Sequence, residues 1–130
     1  GEHTDAVMKS VLGMPEADLT FERQGAKARK LDPDLDEMNP QAEGAPRDLI
    51  WGKSYHVFEE LERRHGPGAM AKYFRTKRAV LEPGRSGYTM DDCVAVWSIA
   101  VNEDLFPWFR SLAFDVDRKR TDLGSRVPVR

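Results

Sequence analysis

Apolar and polar residues alternate along most of this chain with the period of an α-helix. The clearest case is the stretch 47–65, where residues recur at the three-and-four spacing of one helical face. That face comprises Ile50, Ser54, Val57, Phe58 and Leu61, and Trp51 and Tyr55 widen it. Cations near the end complement the helix dipole, and the Gly-Pro-Gly run at 66–68 stops the helix. We therefore predict a helix from Arg47 to His65.

Helical patterns also precede and follow this stretch. The predicted segments are Asp5–Leu12, Pro15–Leu31, Ala69–Val80, Met90–Val101 and a short last helix that Asp104 caps. The shared face in 69–80 is Met70, Tyr73, Phe74 and Lys77, and the stripe in 90–101 is Cys93, Val94, Val96, Trp97, Ala100 and Val101. Thr89 is placed to cap the helix that starts at Met90, and Asp92 at its third position imitates a capping box.

The most apolar short stretch lies directly after the helix that ends near Val101. Within eight positions it holds Leu105, Phe106, Trp108, Phe109 and Leu112. Burying one such side chain is worth about 1.5–3 kcal/mol. This stretch is therefore predicted to anchor the core.

The residues between the helices indicate how the chain is organised. Residues 32–46 hold three prolines and five acids but no base, and we predict a long loop that either packs across the surface or links two parts. The fold is predicted to be all-α, a small irregular bundle of four to six helices with this acidic loop. Its parts would be an N-terminal helical segment (1–31), the loop (32–46), a helical core domain (47–117) and a basic tail (118–130) that is frayed apart from Leu123.

Composition narrows the class of protein without indicating a function. The chain has 130 residues, a net charge of −2 and 40% hydrophobic residues, which suits one domain with a modest core. No apolar run approaches the roughly 20 residues of a membrane span, and the charge gives no general drive toward nucleic acid. Cys93 is the only cysteine, which excludes an internal disulfide and paired-cysteine zinc motifs. We expect no cofactor in this chain.

Candidate catalytic and metal-binding residues are few, and each has a simpler structural explanation. His56 and Glu59 stand three apart on one helical side and could hold a metal, or they could be polar surface residues. Cys93 lies in the first turn of a helix, where the dipole could lower its pKa, but its apolar neighbours favour a buried structural thiol. Asp91 and Asp92 could be paired carboxylates for acid–base chemistry, but their position after Thr89 explains them by capping and by the helix dipole.

A basic surface is the strongest candidate for binding. Its residues are Arg63, Arg64, Lys72, Arg75, Lys77, Arg78 and Arg85, and within that range Glu82 alone opposes them. Such a surface could follow phosphates while Tyr73 and Phe74 stack on bases. The spacing of both aromatic residues with Met70 favours a core role instead, and the acidic loop could be an internal partner for the bases.

Several motifs follow one another in an informative order. They are Gly52–Leu61 with Gly66, Tyr73-Phe74, Tyr88–Asp92, Val96–Ala100 and Glu103–Phe109. This order resembles the C-terminal helical part of gluzincin zinc metallopeptidases, where a threonine–acid helix start leads into an aromatic anchor. The resemblance covers about residues 51–116. The family's His-Glu-x-x-His helix is absent from the chain, so the resemblance implies a scaffold and carries over no catalytic residue.

Hypotheses from three classes follow. The leading one is a non-catalytic helical domain, a fragment or relic of a larger protein, whose partner is the rest of that polypeptide or a peptidase-like domain. Its structural residues would be Trp51, Tyr55, Phe58, Leu61, Phe74, Trp97, Leu105, Trp108 and Phe109. The alternative is a binding module that uses the basic surface on an acidic protein or, less favoured, on nucleic acid. The third is an enzyme with an unconventional site at His56 and Glu59.

Overall fold

The structure, a computed structural model, describes residues 21–85 and 87–129. Its helices are α1 (Phe21–Leu31), α2 (Arg47–His65), α3 (Ala69–Val80), α4 (Met90–Val101) and α5 (Phe106–Ser111), followed by 3₁₀ helices Arg118–Arg120 and Gly124–Arg126. The described residues contain no strand, which confirms the predicted all-α class. The bounds of α2, α3 and α4 match the predicted ones. The helix predicted over Asp5–Leu12 lies outside the described residues.

The chain divides into two units, Gly1–Glu59 and Glu60–Arg130, called here unit one and unit two. In unit one, α1 approaches the first half of α2 at Gly52. A Cβ on Gly52 would lie 2.3 Å from the Cβ of Ala28, so only glycine allows this approach. The apolar core of unit one contains Ala28, Leu35, Leu49 and Val57.

One buried ion pair organises the acidic loop of unit one. The Nζ of Lys53 lies 2.9 Å from Oδ2 of Asp32, and both side chains are fully buried. The same carboxylate accepts hydrogen bonds from the N–H groups of Glu37, at 3.0 Å, and Met38, at 2.8 Å. Lys53 also donates to the carbonyl of Met38, at 2.6 Å. The loop is therefore folded around Asp32 within its own unit.

The buried face of α2 differs from the predicted one. The buried residues follow a spacing of four: Leu49, Lys53, Val57 and Leu61. Ile50 and Trp51 are 40% and 41% exposed, and Ser54 is exposed too. The hydrophobic pattern left Lys53 off the predicted face because it treats a cation as polar. Val57 and Leu61 of the predicted face are buried, but Lys53 takes a buried position in place of Ile50 and Ser54, and the core role of Trp51 is wrong.

Unit two is built on α3 and α4, which pack along one another. Trp97, only 1% exposed, stacks on Tyr73 with 4.5 Å between ring centroids. The predicted capping box starts α4: Oγ1 of Thr89 accepts from the N–H of Asp92, and the Asp92 carboxylate accepts from the N–H of Thr89. Asn102 ends the helix in the left-handed region, with φ of 57°.

The stretch after α4 forms the predicted apolar anchor. Leu105, Phe106, Phe109 and Leu112 are buried, and Trp108 is half-buried. Ser98 fixes the turn into this stretch, because its hydroxyl accepts from the N–H of Leu105 at 3.0 Å and donates to the carbonyl of Val94 at 2.7 Å. The N-cap position of α5 is Leu105, and the Asp104 carboxylate just before it accepts from the N–H of Phe106 at 3.0 Å, which supports the start of the helix.

Residues 118–129 are packed in part, so the prediction of a tail that is frayed apart from Leu123 is wrong. Leu123, Gly124 and Val127 are buried. A Cβ on Gly124 would lie 2.1 Å from the carbonyl oxygen of Arg118, whose guanidinium donates to the carbonyl of Val127 at 2.6 Å. The hydrophobic pattern missed this segment because its few apolar residues show no helical period.

Candidate functional site

The metal candidates His56 and Glu59 lie three positions apart on α2. His56 is half-buried and Glu59 is exposed. Across the described residues, no group of three or more His, Cys, Asp or Glu side chains could hold a metal ion. A metal site at His56 would therefore need ligands from elsewhere in the chain, and it stays a prediction.

The thiol of Cys93 lies beside a pair of tyrosines in unit two. Its Sγ is 3.3 Å from Oη of Tyr73, and that hydroxyl also shares a hydrogen bond with Oη of Tyr88. Burial raises the pKa of the Cys93 thiol, and the hydrogen bonds with the tyrosines offset this only in part. Because the thiolate is the nucleophilic form, the raised pKa disfavours a nucleophilic role for Cys93. This environment agrees with the predicted structural role.

Asp91 and Asp92 do more than start α4, because both reach the C-terminal segment. The Asp92 carboxylate accepts from the hydroxyl of Thr121 at 2.6 Å and from Arg85 at 3.0 Å, and Asp91 accepts from the N–H of Asp117 at 2.9 Å. Burial alone would raise the pKa of Asp92, but the hydrogen bond from Thr121 and its other donors outweigh burial and lower it. The ionised carboxylate therefore ties the C-terminal segment to α4.

Acids of unit two neutralise one end of the predicted basic surface. Arg63 pairs with Glu60, and Arg64 lies 3.7 Å from Glu60 and 3.5 Å from Glu103. The guanidinium of Arg64 also lies over the ring of Trp108, 5.0 Å from its centroid. Both arginines are therefore engaged within unit two.

Arg85, at the other end, is engaged as well. Its guanidinium makes two hydrogen bonds to Asp122, at 2.8 and 3.0 Å, besides its bond to Asp92. Asp122 and Glu103 lie outside the stretch 63–85, so the local sequence gave no sign that they oppose these bases. Three of the seven predicted cations therefore belong to internal ion pairs.

The remaining four cations lie on α3. Lys72, Arg75 and Arg78 are exposed, and no ion pair joins them to an acid of the described residues. Lys77 is half-buried, and its ammonium group lies 4.3 Å from the ring centroid of Tyr88. The solvent side of α3 thus presents three cations that are not balanced within the described part of the chain.

Phe74 lies among these cations and is 46% exposed, so its predicted core role is wrong. Successive helical residues point about 100° apart, and the place against α4 is taken by Tyr73, which is 6% exposed. The ring of Phe74 packs edge-on against Tyr73, with centroids 5.3 Å apart. We call Lys72, Phe74, Arg75 and Arg78 together the α3 face. The sequence predicted that Tyr73 and Phe74 share a face with Met70 and Lys77, and nothing local indicated which of the two aromatic residues would be buried.

Comparison with known proteins finds no match for this chain among protein-family models, curated proteins or solved structures. In the described residues, every helix is too short or too polar to cross a lipid bilayer.

Proposed function

We propose that this chain is a non-catalytic helical scaffold, similar to the C-terminal part of a gluzincin zinc metallopeptidase, and that it belongs to a larger protein. The junction between α4 and α5 carries this proposal. There Ser98 holds the backbone of Leu105, and the apolar anchor packs into the core of unit two. In a complete enzyme, a part of this kind would support the metal-bearing domain and wall one side of the substrate cleft.

The polar groups of both units bond to one another, and this supports a scaffold role. The thiol of Cys93, the carboxylate of Asp92 and the guanidinium of Arg85 each bond to other groups of unit two. Asp32 and Lys53 do the same inside unit one. An active site instead aims a few polar groups into a pocket where they meet a substrate.

The coding sequence that neighbours this chain gives the first test. We expect it to encode a His-Glu-x-x-His segment upstream. In the protein so defined, deletion of residues 51–116 should abolish both soluble folding and zinc-dependent peptidase activity. Failure to find such a segment would overturn the metallopeptidase part of the proposal.

An activity assay of the chain alone gives the second test. With added zinc, the purified chain should not hydrolyse a fluorescent casein substrate. Zinc-dependent hydrolysis that disappears in His56→Ala, while Glu62→Ala stays active, would overturn the scaffold role and establish the unconventional site at His56 and Glu59.

A further inference from the structure

The α3 face combines one exposed aromatic side chain with three exposed cations that pair with no acid of the described residues. We propose that this face binds an acidic segment of another protein, with Phe74 as the apolar anchor, Arg75 and Arg78 as a charged rim beside it, and Lys72 farther around the helix. The proposal adds a binding role to the scaffold proposed above and does not depend on it.

The charges of the α3 face differ from those of the rest of the basic surface. The other arginines of that surface are matched by acids of unit two. Lys72, Arg75 and Arg78 are exposed and joined to no acid of the described residues. Complementary charges steer partners together and fix how they dock, so this face selects a partner that carries carboxylates.

One side of the Phe74 ring packs against the protein, and the other side is exposed to solvent. It packs edge-on against Tyr73, and Tyr73 in turn stacks on the buried Trp97. The other side of Phe74 leaves 46% of the residue exposed. Protein interfaces concentrate their affinity in a few such aromatic anchors, which are buried on binding and surrounded by a polar rim.

The neighbouring Tyr88 argues against single-stranded nucleic acid as the partner. The ammonium group of Lys77 covers one face of its ring, and its hydroxyl is engaged by Tyr73. Sequence-independent binding of single strands relies on successive free aromatic faces along a basic groove. The α3 face offers one such ring, Phe74, which suits a single apolar contact on a protein.

Fluorescence anisotropy with the full chain tests the proposal. The probe is a labelled synthetic helical peptide with leucines on one side and glutamates on the other. Polyglutamate and oligo(dT) of equal length are the comparisons. We expect the amphipathic peptide to bind most tightly at low salt, and its affinity to fall as salt screens the charges.

Variants locate the binding site. Phe74→Ala is expected to weaken peptide binding about tenfold, and Phe74→Leu, which keeps an apolar anchor, should weaken it less. Reversing charge at both Arg75 and Arg78 to Glu should abolish binding. The same double reversal at Arg29 and Lys30, which are exposed on α1, should leave the Kd unchanged. Circular dichroism spectra matching the native chain establish that each variant is folded.

Three results would overturn the proposal. The amphipathic peptide does not bind, or its binding survives the variants of the α3 face, or oligo(dT) binds more tightly and responds to the same variants. The last result would assign the face to nucleic acid. Each of these outcomes leaves the scaffold proposal standing, because that proposal is tested by the coding sequence and by peptidase activity.

Discussion

The two units each contain a buried aspartate near a helix end, but they balance its charge differently. In unit one, Asp32 pairs with Lys53, and both side chains are fully buried. In unit two, Asp92 pairs with Arg85, whose side chain is 26% exposed. Removing two charges from water is costly, and their attraction offsets that cost only when the remaining hydrogen-bonding groups are also satisfied. Unit one therefore depends more heavily on its ion pair than unit two does.

The apolar residues that the two units bury also differ, and in the described residues unit two has the larger apolar core. Unit two buries the large aromatic residues Tyr73, Trp97, Phe106, Phe109 and Phe114. The buried apolar residues described in unit one are aliphatic and fewer: Ala28, Leu35, Leu49 and Val57. Aromatic side chains bury the most surface per residue. Among the described residues of unit one, the fully buried side chain of Lys53 is thus a substantial part of the packing beside these few aliphatic residues.

The largest loss of stability is expected from Trp97→Ala in unit two. Truncation of a buried tryptophan costs about 3–5 kcal/mol of stability. Loss of the stacking on Tyr73 adds about 0.5–1.5 kcal/mol, so we expect a loss at the upper end of that range. Denaturant unfolding followed by circular dichroism measures the change. Trp108→Ala is the control, because truncation of the half-buried Trp108 should reduce the free energy of unfolding less. Equal losses for the two variants would contradict the central position of Trp97.

The next largest effect is expected in unit one, from Lys53→Met. Methionine keeps an apolar stem of similar length but leaves Asp32 buried without its cation, which costs about 3 kcal/mol. Hydrogen exchange measured by mass spectrometry should quicken at residues 32–38, where Asp32 holds the loop. Lys30→Met changes an exposed lysine of α1 and should alter stability by less than about 0.5 kcal/mol. An unchanged exchange rate in the loop would refute the role given to the ion pair.

Acid titration sharpens the same prediction. Burial alone would raise the pKa of Asp32, but hydrogen bonds from Lys53, Met38 and Glu37 outweigh it and lower the pKa. The stabilisation is therefore complete above the unfolded pKa of about 4 and is lost as the pH falls through the folded pKa. In Lys53→Met the pKa of Asp32 should rise, so acid should remove less protection from unit one than it removes in the native chain, and the deficit of the variant should be largest near neutral pH, where the unpaired carboxylate is ionised.

A pair of glycines in unit one gives the third comparison. Gly52→Ala should destabilise the chain by about 1–3 kcal/mol, because the new Cβ would lie 2.3 Å from the Cβ of Ala28 and 2.6 Å from the carbonyl oxygen of Gln24. At Gly25, inside α1, the nearest atom to a new Cβ is the movable end of Arg29, at 3.1 Å. Gly25→Ala should therefore be neutral or stabilise by up to about 1 kcal/mol. Thermal melts that rank the two variants in the opposite order would contradict the close approach at Gly52.

The smallest effect is expected at the capping box of unit two. Thr89→Ala removes the oxygen that accepts from the N–H of Asp92 and should cost about 1 kcal/mol. Thr89→Ser keeps that oxygen and should retain most of the stability. Chemical denaturation of both variants measures the difference, and a serine variant as weak as the alanine variant would argue against the cap.

The elements that sequence patterns predicted well are those specified by neighbouring residues. The end of α2 follows from the Gly-Pro-Gly run, and the start of α4 follows from Thr89 and Asp92, which are three positions apart. The apolar anchor after α4 was predicted because its hydrophobic residues are concentrated in one short stretch. Each of these signals lies within one or two helical turns.

The features that sequence patterns missed depend on residues far apart in the chain. Lys53 is buried because it pairs with Asp32. Arg85 is neutralised because it pairs with Asp122, which lies 37 positions away in the sequence. Among the cations of the predicted basic surface, the pairs of Arg63 and Arg64 with Glu60 lie within one helical turn, but the pairs with Glu103 and Asp122 join residues that are far apart in the chain. For the same reason the exposure of Phe74 became clear only once Tyr73 was placed against Trp97.

Because Lys53 is completely buried, its chemical reactivity can report when the acidic loop opens. An amine-acylating reagent reaches Lys30 and Lys72 directly from solvent, since both are exposed. It reaches Lys53 only in molecules whose acidic loop has come away from α2. The rate at which acylated Lys53 peptide appears therefore measures how often the acidic loop opens in the chain without any substitution or added label.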